Sequence, residues 1–192
     1  MKKDIIIEKT DLFLDFDGTI INSIKAYCET YNELYRLHPK FEFANWRNCE
    51  KYNFSDVCPL EKNPSRIFSN ELFFKKCDFI NTNTRKIIKE LNKKYKIFIC
   101  SIGIPLNISK KILWIKENLP FIKNYTMIIN ENCETGKSII NMENSIFIDD
   151  VADNLFSSNA KHKICFGNKY DWNKEWKGDR CFNWTNVKEL LL

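Results

Sequence analysis

Apolar residues along the chain fall into short solid runs, separated by stretches where they recur every three or four positions. Leu12-Phe13-Leu14, Ile97-Phe98-Ile99-Cys100, Tyr125-Thr126-Met127-Ile128-Ile129, Ser145-Ile146-Phe147-Ile148 and Lys163-Ile164-Cys165-Phe166 have the length and composition of buried strands. Ile20, Ile24, Cys28, Tyr31 and Leu34 keep helical spacing, so the pattern predicts a helix opening directly after Thr19. A second amphipathic helix is expected over residues 84–95, with Ile87, Ile88, Leu91 and Tyr95 on one side, and a third over about 109–118. Thr185 is placed to cap a last helix that ends in Leu190-Leu191-Leu192. Strands alternating with helices predict an α/β fold with a parallel sheet and right-handed crossovers.

Spacing adds an insertion to this picture. From Asp15 to Ser101 there are 86 positions, whereas a plain strand-helix-strand crossover needs only about 30 residues. The excess, residues 35–81, is expected to sit above the strand ends as a small, mainly helical cap. Residues 1–34 and 82–192 then form the core. The insertion is rich in aromatic residues. Most should build its own small core, and Trp46 and Phe54 are the candidates to face a planar substrate.

Polar chemistry gathers where the apolar runs stop. The first run ends in Asp15-Phe16-Asp17-Gly18-Thr19, two carboxylates two residues apart followed by a glycine turn. Open α/β sheets place ligands at this C-terminal edge. The fourth run ends in Asp149-Asp150. Such carboxylates brought together would repel one another, and a hard divalent cation with oxygen ligands resolves that repulsion. Ser101 closes the second run ahead of Gly103, where a hydroxyl and backbone N–H groups can hold a phosphate oxygen. Lys137, in Thr135-Gly136-Lys137-Ser138, is a point charge suited to phosphate, with Lys123 as an alternative. Taken singly, each has an ordinary reading as a turn residue or solvated charge; the ordered set is harder to dismiss.

Composition narrows the class. The chain has 192 residues and 44% hydrophobic content, enough for one α/β domain with an insertion. No apolar run approaches the ~20 residues of a membrane-spanning helix, and the start Met1–Glu8 does not read as a signal peptide. Eight cysteines are scattered without a Cys-x-x-Cys pair and read as reduced small hydrophobes in a cytoplasmic protein. Two histidines make a zinc site or a histidine-based triad a poor fit. The net charge of +5 comes with no concentrated basic stripe, so no nucleic-acid partner is expected; Lys93-Lys94 and Lys110-Lys111 read as solvated helix faces. Gly136-Lys137-Ser138 mimics the end of a phosphate-binding loop, but Glu131 occupies the required earlier glycine position.

The ordered set Asp15-x-Asp17-Gly18-Thr19, Ser101, Lys137 and Asp149-Asp150 resembles the haloacid dehalogenase-like superfamily. Tyr31-Asn32, Ser101-Ile102-Gly103-Ile104-Pro105 with Asn107, Lys111 with Trp114-Ile115, Asn154, Arg180 and Asn183-Trp184 extend the resemblance to the cytosolic type of 5′(3′)-deoxyribonucleotidase. The resemblance implies a three-layer Rossmann-like core and a Mg²⁺-dependent phosphomonoester hydrolase acting on a deoxynucleoside monophosphate. It implies Asp15 as nucleophile and Asp17 as general acid/base. It also implies phosphate binding by Ser101, Lys137 and the backbone at Gly18, Thr19 and Ile102, and Mg²⁺ held by Asp15, Asp17 (through its carbonyl), Asp149 and Asp150. A monomer or homodimer is expected.

Two other readings stay open. A phosphatase of another small metabolite, such as a sugar phosphate or phosphoglycolate, would use the same groups. A non-hydrolytic phospho-aspartate signalling module would too, but there the acidic pair comes early in the chain, and here Asp149-Asp150 ends the series.

Overall fold

A computed structural model describes residues 9–130 and 136–192. Met1–Glu8 and the positions of Glu131 and Thr135 noted above lie outside these residues. Among the described residues, six strands form one parallel sheet: β1 (Asp11–Asp15), β2 (Lys96–Gly103), β3 (Asn124–Ile129), β4 (Ile146–Asp149), β5 (His162–Phe166) and β6 (Asp179–Cys181). Their spatial order is β3-β2-β1-β4-β5-β6. The chain therefore runs outward from β1 through β2 to β3, then returns to the other side of β1 for β4. That reversal opens a crevice at the C-terminal ends of β1 and β4, the place where such sheets bind ligands. Leu14 pairs with Ile148, so Asp15 and Asp149 leave adjacent strands at the same level.

The period-2 alternation of the strands builds two unequal faces. Leu12, Leu14, Ile97, Ile99, Ile146, Ile148, Ile164 and Phe166 point to one side, into a large core with Tyr27, Ile88, Leu91, Ile115 and Trp184. That side is covered by α1 (Ser23–Tyr35), α4 (Thr84–Lys94), α5 (Pro105–Asn118) and α7 (Trp184–Leu191). Phe13, Cys100, Phe147 and Cys165 point to the other side, where Leu155 of the short α6 (Ala152–Ser157) and the 140–142 loop cover a smaller cluster.

Helix starts depart from the periodicity. The first helix begins at Ser23, capped by the Asn22 side chain, because residues 16–21 are folded into a tight loop. Ile20 and Ile21 N–H groups both donate to Phe16 C=O, and Gly18 adopts φ +70°. The third begins at Pro105, whose fixed φ and missing N–H suit a first-turn position. Asn183, not Thr185, caps α7, accepting from Asn186 N–H. The Trp184 indole then donates to Thr19 C=O at 2.9 Å, bracing the first loop from the far end of the chain.

Between α1 and α4 lie a 3₁₀ turn (Trp46–Asn48), α2 (Pro64–Phe68) and α3 (Glu71–Lys76). The expectation of a separate small core is corrected here. Cys49, Phe54, Ile67 and Phe73 belong to the same apolar cluster as the sheet face, and Phe54 stacks on Tyr27 of α1 with ring centroids 4.1 Å apart. The insertion is thus anchored through α1.

Candidate active site

A cavity of about 640 Å³ sits over the crevice between β1 and β4. Its floor carries Asp15, Asp17, Ser101, Lys111, Lys137, Asp149 and Asp150, and its walls include Tyr52, Phe54, Phe68 and Trp172.

Two buried lysines organise the floor. Lys137, in a 3₁₀ turn that follows Gly136, donates to Asp15 Oδ1 and, at 2.6 Å, to Asp149 Oδ2. The Asp149 carboxylate also accepts from Val151 N–H (2.8 Å) and from Asn154 Nδ2. Lys111, on α5, donates to Asp17 Oδ2, to Ser101 Oγ at 2.8 Å and to Ile102 C=O at 3.1 Å. Both lysines are 2% exposed. Asp17 Oδ1 is buried with no hydrogen-bond partner among the described residues.

Electrostatics follow from this crowding. Burial raises the Asp15 carboxyl to about 7 against the pull of Lys137, and the charges of Asp149 and Asp17 add to the rise. Asp150 is pushed well above the usual carboxylate range by burial, then by Asp15 and Asp149. Burial alone would lower the Lys137 ammonium; Asp149 and Asp15 overcome it and hold the group well above its ordinary value. Oxygens of Asp15, Asp149 and Asp150 lie within 4.8 Å of one another, close enough to share one ion.

The structure brings Asp15, Asp17, Ser101, Ile102, Lys137, Asp149 and Asp150 to one cavity. Gly18 lies against it, because a Cβ there would stand 2.5 Å from Asp150 Oδ2. Thr19 is fully buried behind the loop. Phe54 lines the cavity; Trp46 does not, and instead carries the Arg47 guanidinium 4.5 Å from its ring centroid. Lys123, the alternative lysine, is exposed and bonded to Pro120 C=O.

The family model described as 5′ nucleotidase, deoxy (pyrimidine), cytosolic type C protein matches residues 9–192. The chain belongs to that family. With it, the chain joins the haloacid dehalogenase-like phosphohydrolases, and solved structures share its fold. A haloacid dehalogenase-like hydrolase from Streptococcus pneumoniae is 12% identical with a TM-score of 0.64, the match covering 96% of this chain and 99% of that one. A haloacid dehalogenase-type protein from Bacillus subtilis, described as bound to magnesium, is 13% identical with a TM-score of 0.62 over 96% and 99% of the two chains. A phosphoserine phosphatase, described as a phospho-aspartyl intermediate analogue, is 18% identical with a TM-score of 0.52 over 96% and 100%. At these identities the likeness is one of fold. No curated protein sequence matches the chain significantly.

For this nucleotidase-family enzyme, one expectation needs correction. Lys111 is not a solvated lysine: it is buried between Asp17 and Ser101. Its signal was present, since Ile108, Lys111 and Ile115 share one helix face and a lysine in an apolar stripe must find a carboxylate. The C-terminal segment, for which the sequence offered no catalytic signal, also reaches the site, because Trp172 lines the cavity and donates to Asp150. No periodicity marks Trp172, and no membrane-spanning helix occurs among the described residues.

Proposed function

We propose that this enzyme hydrolyses the phosphomonoester of a deoxynucleoside monophosphate through an aspartyl-phosphate on Asp15. The observation that carries this reading is the pairing of two lysine-organised carboxylates, Asp15 and Asp17, at the foot of an aromatic-walled cavity of about 640 Å³. A cavity of that size suits a nucleotide-sized ligand, and aromatic walls suit a planar base. Residues 35–81 act as the cap, since Tyr52, Phe54 and Phe68 reach the cavity from there.

The donor set fits Mg²⁺. Three carboxylates converge, all hard oxygen ligands, and among the described residues one ammonium, Lys137, bonds only two of them. Asp15, Asp149 and Asp150 would hold the ion, with the Asp17 carbonyl available beside them. When bound, Mg²⁺ supplies Lewis-acid charge that lets an anionic phosphoryl group approach an anionic nucleophile.

The chain's own residues carry the steps. An Asp15 carboxylate oxygen attacks phosphorus, and the bond from phosphorus to the ester oxygen breaks. Protonated Asp17 gives its proton to that leaving oxygen. Water then attacks phosphorus, the Asp15–phosphorus bond breaks, and Asp17 takes the water's proton. Lys137 keeps Asp15 aimed from β1. Lys111 and Ser101 stand where the equatorial oxygens gather charge, with the backbone at Gly18, Thr19 and Ile102 adding donors.

A phosphate-release screen tests the reading, using deoxynucleoside and ribonucleoside monophosphates and sugar phosphates, each with and without Mg²⁺. Turnover is expected with Mg²⁺ and to be fastest on deoxynucleotides. Preference for a sugar phosphate would overturn the substrate assignment, and full activity in chelator would overturn the metal.

A further inference from the structure

Asp150 differs from the other two carboxylates of the cation cluster. Asp15 and Asp149 are both held by Lys137, but the hydrogen bond described for the Asp150 carboxylate comes from Trp172 Nε1, at 3.1 Å to Oδ2. We infer that Trp172 is a positioning residue for the cation site, fixing the Asp150 carboxylate so that its remaining lone pairs converge with those of Asp15 and Asp149. This rests on the metal-dependent reading of the site.

An indole N–H is suited to the task because it donates without charge. A second lysine here would add positive charge beside the ion it is meant to help bind. Trp172 satisfies one oxygen of Asp150 and leaves the cluster's negative charge intact.

The indole itself is locked. Tyr170 stacks on it with ring centroids 4.4 Å apart and planes 6° apart, and Tyr52 of the insertion meets it edge-on at 5.9 Å. Beneath the ring the two loops are stitched together. Asn173 Nδ2 donates to Asp150 C=O at 2.9 Å, and Ala152 N–H donates to Trp172 C=O at 3.1 Å. Arg180 on β6 grips the segment that presents Trp172, donating to Asn173 C=O at 2.7 Å and to Gly167 C=O at 3.1 Å. Gly18 also lies against the same carboxylate. A Cβ there would stand 2.5 Å from the very oxygen that Trp172 holds. Asp150 thus meets a glycine that leaves room for it and an indole that holds it.

The test is Mg²⁺ titration of the full chain by calorimetry, for wild type, Trp172→Phe, Trp172→His and Asp150→Asn. Trp172→Phe keeps the aromatic packing and loses the donor, so Kd for Mg²⁺ should rise about 10–100-fold, the range for lost outer-sphere partners of metal ligands. Trp172→His retains a ring N–H and should fall between the two. Adding Trp172→Phe to Asp150→Asn should cost nothing further, and raising Mg²⁺ should restore kcat of Trp172→Phe. A wild-type Kd in Trp172→Phe, equal losses in the Phe and His variants, or additive losses in the double variant would overturn the inference while leaving the metal reading in place. Absence of Mg²⁺ binding to wild type would instead overturn the reading on which it rests.

Discussion

The two buried lysines of the site are alike in type and burial but opposite in what surrounds them. Lys137 joins Asp15 and Asp149, both with almost no side-chain exposure, and so sits inside a closed node of charges. Lys111 joins Asp17, whose side chain is 27% exposed, to the Ser101 hydroxyl and a backbone carbonyl, and so sits at an open node facing the cavity. In the closed node Lys137 bonds both carboxylates, whereas the open one leaves one carboxylate oxygen, the buried Asp17 Oδ1, without a hydrogen-bond partner among the described residues. The difference divides the labour of the site. On the proposed mechanism, Lys137 would fix the nucleophile Asp15, and Lys111 would poise the acid/base partner Asp17.

The largest effect should come from the two aspartates. Asp15→Asn is expected to reduce turnover to background with Mg²⁺ present, because an amide cannot form the aspartyl ester. Asp17→Asn should lose about 10²–10⁴-fold, the usual range for a lost general acid/base, and should accumulate phosphorylated Asp15. Rapid acid quench with labelled substrate measures both. Near-normal turnover in Asp15→Asn would remove the covalent route altogether.

The lysines separate the nodes directly. Lys137→Met strands two buried carboxylates, and breaking such a pair costs about 3–5 kcal/mol in urea denaturation of the metal-free protein. Lys111→Met strands a carboxylate that water can reach, so its cost should stay at about 1–3 kcal/mol. Its activity should still fall about 10²–10³-fold, as for loss of a donor to developing charge. Equal stability losses in the two variants would erase the distinction between closed and open nodes.

The closed node was the more legible in the sequence. Asp15 and Asp149 end apolar runs, so strand periodicity alone delivers them to one sheet edge, and pairing of Leu14 with Ile148 puts them side by side. The open node was half hidden. Asp17 follows β1 by two residues and Ser101 lies within β2, two residues before its end, so both could be placed from the apolar runs, but Lys111 was read by its charge rather than by its place in the apolar stripe of α5. The tail was least legible. Strand β6, Asp179–Cys181, has no apolar alternation to announce it, and the contact from Trp172 to Asp150 joins residues 22 positions apart with no local pattern. Local periodicity records which face a side chain takes within its own element. It carries no record of which distant loop that face will meet.

A substitution at Gly18 probes the loop that links the nodes. Gly18→Ala imposes a side chain at φ +70° and drives its Cβ into the Asp150 carboxylate. The backbone term alone is about 1–2 kcal/mol. The displacement of Asp150 should weaken Mg²⁺ binding while leaving the Lys111 node, and so the Asp17 orientation, in place. Wild-type Mg²⁺ affinity in a folded Gly18→Ala would show that Asp150 has room to spare.

The smallest effect concerns the thiols beneath each node. Cys100 lies near Lys137 and Asp15, and Cys77 lies near Asp17 and Lys111. Burial pushes Cys100 up to about 12, overriding the opposite pull of Lys137, and burial likewise raises Cys77. Both thiols should therefore stay protonated and unlabelled by alkylating reagent at pH 8 while the protein is folded, as followed by peptide mass spectrometry. Opening the closed node should then be visible at one thiol and not the other. Lys137→Met is expected to speed labelling of Cys100 relative to Cys77, because local opening around the stranded carboxylates exposes the strand end beside them. Lys111→Met should change the ratio little, since the Asp17 side chain is already 27% exposed and needs less opening of the fold to be solvated.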